Sequence, residues 1–137
     1  MLLRRPLIAG GVAEYRIART AEVEIREILA WSEEKFGALG RRRYTALIVA
    51  AMQDIAGDPD QALVERKRLS RVEVGIYRIA DSRDRVPDPP GLVREPRHAL
   101  VFRMAPDGVL DIIGIIHDRM LLTRALRKIV RSNPDDR

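Results

Sequence analysis

Two apolar runs on either side of a turn constrain this chain most. Residues 99–104, Ala99-Leu100-Val101-Phe102-Arg103-Met104, are nearly all apolar, and residues 109–116, Val109-Leu110-Asp111-Ile112-Ile113-Gly114-Ile115-Ile116, repeat the pattern. Pro106-Asp107-Gly108 between them is a hairpin turn signal, so the runs predict paired strands. Residues 72–79 read as a further strand, and Ala13-Glu14-Tyr15-Arg16-Ile17 alternates as a short N-terminal one.

Helical patterns supply a cover for this sheet. Ile25, Ile28, Leu29 and Phe36, with Ser32 completing the row, follow helical spacing. Thr20 stands as the N-cap, with Glu22, Glu24 and Glu27 in the early turns where the helix dipole favours anions. Gly37 ends this helix and Gly40 lies in the connection. A second stripe runs through Tyr44, Leu47, Ile48, Ala51, Met52 and Ile55 until Gly57-Asp58-Pro59 stops it. Two such helices joined by a few residues predict an antiparallel hairpin whose stripes need a shared surface. Leu122, Ala125, Leu126, Ile129 and Val130 make a final helix.

The fold class is therefore α+β, with an N-terminal strand, a two-helix hairpin packed on a mostly antiparallel sheet, and a short C-terminal helix. One domain covers residues 13–130, a fitting size for a chain of 137 residues. Residues 1–12 read as an N-terminal arm, with Val12 an alternative natural start, and residues 131–137 as a flexible tail. Residues 80–97 hold four of the eight prolines and are expected to form a long, mobile inserted loop.

Composition removes several classes of function. There is no cysteine, which excludes a disulfide scaffold, a thiolate nucleophile and thiolate metal sites. With two histidines, a histidine-rich metal centre is excluded too, and no cofactor is expected. One Trp, three Tyr and two Phe argue against a stacking platform for single strands. No apolar run approaches the roughly 20 residues of a spanning helix. The N-terminal apolar stretch is too short for a signal peptide and is interrupted by Pro6. The expected location is cytoplasmic, with no membrane partner.

Charge is unevenly placed. The net charge is +5, but residues 20–62 carry 5 basic and 8 acidic groups, whereas residues 63–137 carry 16 and 11. The surplus sits on the sheet, the last helix and the arm. Candidate binding residues on the sheet side are Arg66, Arg68, Arg71, Arg78 and Arg103. His117, Arg119, Arg124 and Arg127 are candidates near the final helix. Such a surface attracts nucleic acid or an acidic protein, or serves simply as a solvated face. His117 follows an apolar strand and serves either as an acid or base or as a cap for the final helix. His98 reads as a surface residue. Arg103, in an apolar strand, either pairs with Asp111 on the neighbouring strand or faces a ligand.

Four local patterns, in order, carry a resemblance. They are Tyr15-Arg16-Ile17 with Ile25-Arg26-Glu27-Ile28 and Phe36-Gly37; Arg43-Tyr44 with Leu47, Ile55 and Asp58-Pro59; His98-Ala99-Leu100-Val101-Phe102-Arg103; and Ile112-Ile113-Gly114-Ile115-Ile116-His117-Asp118-Arg119-Met120. Together they cover residues 13–122, and the chain resembles the RelE/ParE superfamily of type II toxin–antitoxin modules. It looks more like ParE, the plasmid stabilisation type, than RelE. That resemblance implies a toxin that poisons DNA gyrase by binding, with no covalent chemistry, and that a ParD-like antitoxin neutralises through an acidic C-terminal segment. RelE-like relatives instead cut mRNA on the ribosome. This chain has no tyrosine after Tyr77, but Arg78, Arg103 and His117 would be the catalytic candidates under that alternative. A non-toxic module that binds an antitoxin-like partner is the third reading. Residues 80–97 and both ends depart from the family pattern.

Overall fold

The computed structural model describes residues 3–6, 14–69, 71–117 and 122–134. Ala13, Ser70, Asp118, Arg119, Met120, most of the arm and residues 135–137 lie outside the described residues. The architecture is α+β: a six-stranded sheet of order β1-β2-β6-β5-β4-β3. The strands are β1 (Leu3–Pro6), β2 (Glu14–Ile17), β3 (Glu65–Leu69), β4 (Val72–Arg78), β5 (His98–Met104) and β6 (Leu110–His117). The β2–β6 pair is parallel and the other described pairs are antiparallel. Part of the expected arm is thus a strand paired to β2, with Leu3 opposite Ile17.

Alternation along the strands sorts the core into two layers. Tyr15, Ile17, Tyr77, Leu100, Phe102, Leu110, Ile112 and Ile115 pack with Ala21, Tyr44, Leu47, Ile48, Ala51, Met52 and Ile55 of the helical span α1 (Arg19–Gly57). Ala18, Leu69, Val74, Ile76, Ala99, Val101, Ile113 and Ile116 pack with Leu126 and Ile129 of α2 (Leu122–Ser132). The sheet lies between α1 and α2. Between Val101 and Phe102 the register shifts, so Ile113 is an extra residue in β6. Gly114 follows it, and a Cβ there would lie 2.6 Å from Ile129 Cδ1, so the missing side chain lets α2 seat closely.

The expected pair of helices occurs as one span that is broken at Gly37 (φ 78°, ψ −176°). A left-handed φ of this kind is cheap only for glycine. The predicted connection shrinks to that residue, and Gly40 lies inside the second segment, where a Cβ would meet Phe36 Cβ at 2.4 Å. Two expectations fail at the first segment. Ala18 occupies the N-cap without a side-chain cap, and the Thr20 hydroxyl instead donates to Asn133 Oδ1. Phe36 does not join the core; it is 67% exposed and packs edge-on against the exposed Trp31, with ring centroids 5.9 Å apart.

The 80–97 segment is not a free loop. It opens with a 3-10 turn, Ile79–Arg85, in which Ile79 and Ser82 are fully buried, and Val86 and Val93 pack against the α1 layer. Ser82 Oγ donates to Asp54 Oδ2 at 2.6 Å, so Tyr77 must donate in its 2.9 Å bond to Ser82 Oγ. Burial, first of all, holds the Tyr77 hydroxyl above its ordinary range, and the Asp54 charge adds to this. Ser82→Ala strands the buried Tyr77 hydroxyl and takes one partner from Asp54, which keeps Arg85 at 3.3 Å, and is expected to cost about 1–3 kcal/mol in chemical denaturation. A cost near zero would show that this relay does not anchor the segment.

Candidate functional site

The sequence-predicted residues fall into two groups at opposite ends of the sheet. At the hairpin end, Arg66, Arg71 and Arg103 line one cavity of about 540 Å³, together with Arg16, Glu73, Asp107 and Asp111. Arg16, Arg103 and Asp111 alternate with α1-facing neighbours, which turns all three to the α2 face. Arg103 stands opposite Asp111 in the register, as expected, but the ion pair goes elsewhere. Arg16 Nε lies 2.9 Å from Asp111 Oδ1, and Arg16 Nη2 lies 2.7 Å from Asp107 Oδ1. Arg103 donates instead to the Pro134 carbonyl at 3.4 Å. Burial raises the Asp111 carboxyl above its ordinary pKa, against the pull of Arg16 and then Arg103. Arg66 is held by Asp60, by the Pro59 carbonyl and by Glu73 at 3.5 Å.

At the other end, His98 and His117 face each other across β5 and β6. Their ring centroids are 5.3 Å apart, nearly perpendicular. Tyr44 Oη lies 2.5 Å from His98 Nδ1 and also accepts the Arg97 N–H at 3.3 Å. His98 is therefore not a plain surface residue: it is half-buried, with Tyr44 on one side and His117 on the other. His117 thereby gains a neighbouring titratable group. Neither Tyr44 nor His98 could be paired from the sequence, because 54 residues separate them. The sequence marks Arg16 only as a charge inside an alternating strand.

Asp111, opposite Arg103, and His117 are six positions apart along β6. At ~3.3 Å per residue that is roughly 20 Å. Arg78 ends β4 and is exposed, on the face opposite His117. Arg78, Arg103 and His117 are thus not brought together around one phosphodiester. Arg68 is exposed on β3 opposite Glu73, and Arg124 and Arg127 are exposed on α2; none of the three lines the cavity, and Arg119 lies outside the described residues.

The open edge of β6 beyond Ile112 is closed by side chains. Glu24 Oε1 accepts the Ile115 N–H at 3.3 Å, and Asn133 Nδ2 donates to the Ile113 carbonyl at 3.2 Å and to the Ile129 carbonyl at 2.9 Å. Burial raises the Glu24 carboxyl, against that backbone hydrogen bond. Among the described residues no cluster of three metal-ligating side chains occurs, and no helix is long and apolar enough to cross a membrane. In comparison with known proteins, the chain matches no family model and no curated protein.

Proposed function

We propose that this chain is a ParE-like toxin of a type II toxin–antitoxin system, which binds DNA gyrase and is neutralised by a ParD-like antitoxin with an acidic segment. Support comes from the order of the quoted patterns along the chain: Tyr15-Arg16-Ile17 in β2, Phe36-Gly37 at the break of α1, His98 to Arg103 in β5, and Ile112 to His117 in β6. The observation that favours gyrase over mRNA is the distance between Arg103 and His117, since phosphodiester cleavage needs its charge-stabilising and proton-transferring groups within reach of one phosphate. The ribonuclease reading draws instead on Tyr44, His98 and His117, which do form one cluster.

Inducible expression in a bacterium is expected to arrest growth, with gyrase-linked DNA breaks that co-expression of an acidic antitoxin suppresses. His117→Ala is expected to leave the arrest intact. Arrest with mRNA cleavage in translating extracts, abolished by His117→Ala, would instead establish the ribonuclease. Growth without arrest would leave the non-toxic interaction module.

A further inference from the structure

Among the described residues, two arginines of the hairpin-end cavity, Arg71 and Arg103, form no close ion pair with its carboxylates. Four arginines line it, with three carboxylates. Asp107 and Asp111 both hold Arg16, and Glu73 reaches Arg66. Among the described residues, Arg103 makes a 3.4 Å bond to the Pro134 carbonyl and feels the Asp111 charge from a longer distance. Arg71 is exposed and makes no hydrogen bond or ion pair with any described residue. Arg103 as a residue is partly buried while its guanidinium bond is exposed, so the group is open to a bound anion.

We propose that this cavity binds a small phosphorylated ligand, with Arg71 and Arg103 clasping the phosphate and the apolar rim of Val72 and Pro106 receiving the organic part. Three features argue for this class. A dianionic phosphate has enough oxygens to accept from two guanidinium forks at once, whereas one fork satisfies a carboxylate. The volume of about 540 Å³ suits a nucleoside monophosphate and lies within the span of small-molecule sites, roughly 300–1,000 Å³. Glu73 and Asp107 stand at the mouth with side chains 50% exposed, so a long polyanion would have to pass two carboxylates that a single phosphate fits between. The assignment does not depend on the toxin reading and survives its failure.

Titration calorimetry of the full chain with AMP, inorganic phosphate and an oligonucleotide lacking terminal phosphates tests it. AMP is expected to bind saturably, more tightly than phosphate, and the oligonucleotide is expected not to compete. Arg71→Ala and Arg103→Ala are each expected to weaken AMP roughly ten- to a hundredfold, the range for a lost charged hydrogen bond. Arg103→Lys should recover part of that loss, because an ammonium keeps the charge but not the fork. Arg26→Ala, whose arginine pairs with Glu22 on α1, should leave binding unchanged. Arg71 is exposed and unpartnered, so its variant folds and keeps the test decisive if Arg103→Ala does not. The proposal is overturned if neither AMP nor phosphate binds at millimolar concentration, if Arg71→Ala binds as the parent does, or if only the oligonucleotide binds.

Discussion

Phe102→Ala is expected to cost about 3–5 kcal/mol of stability, the range for emptying a buried aromatic site. Phe102 is 1% exposed and lies in β5 opposite Gly75 of β4. Three of its ring carbons occupy the place of the side chain that Gly75 lacks; a Cβ there would lie 2.4, 2.6 and 2.8 Å from them. Gly75→Ala should therefore cost about 1–3 kcal/mol by forcing the ring from its seat. The two changes act on one volume, so the double variant should lose less than the sum by about 1 kcal/mol or more. Urea denaturation of the four proteins measures this. Additive losses would mean that Gly75 and Phe102 do not share that space.

Arg16→Met is expected to cost about 2–3 kcal/mol at neutral pH, because it takes the close ion-pair partner from the nearly buried Asp111 charge and leaves it the weaker pull of Arg103. Arg16 and Asp111 side chains are 17% and 14% exposed, and some wetting keeps the loss below that of a fully buried pair. The deficit should shrink on acidification. Asp111 and Glu24 already have raised pKa values in the folded protein, chiefly from burial. The folded state thus holds these two protons more tightly than the unfolded chain, whose carboxyls titrate near ~4. Their contribution to stability is fully present below that value and is lost as pH rises through the folded values. In Arg16→Met the Asp111 value climbs further, which widens the window. Pairing the change with Asp111→Leu should restore most of the stability. A deficit independent of pH between about 4 and 7 would mean that lost packing, not the lost ion pair, is responsible.

Local patterns carried the central strands and both helices, because burial writes itself into β4, β5, β6 and the stripe from Tyr44 to Ile55. They did not carry β3. Glu65-Arg66-Lys67-Arg68-Leu69 has one apolar residue at its end, yet it pairs residue by residue with β4. An edge strand bonds through its backbone and keeps its side chains in water, and charged side chains guard such an edge. Residues 80–97 do connect β4 to β5 as a loop, but their packing was not legible: prolines and aspartates announce the loop, while the anchors Ser82, Val86 and Val93, with Ile79 just before them, follow no period. The candidate residues Arg66, Arg71 and Arg103 were legible singly. Their meeting in one cavity depends on register, and the contact of His98 with Tyr44 on tertiary packing, neither of which is local.

The strand order has a bearing on how the chain is made. β6 lies between β2 and β5, so the parallel partner of Tyr15 is Leu110, about a hundred positions later. A ribosome must add those residues before β2 has its neighbour, and the nascent chain meanwhile offers the apolar faces of β4 and β5 without their central strand. Contacts of such sequence separation slow folding and prolong exposure to aggregation. The joining of β1 and β2 to the rest of the sheet therefore waits for β6, whereas β3, β4 and β5 pair with one another without it.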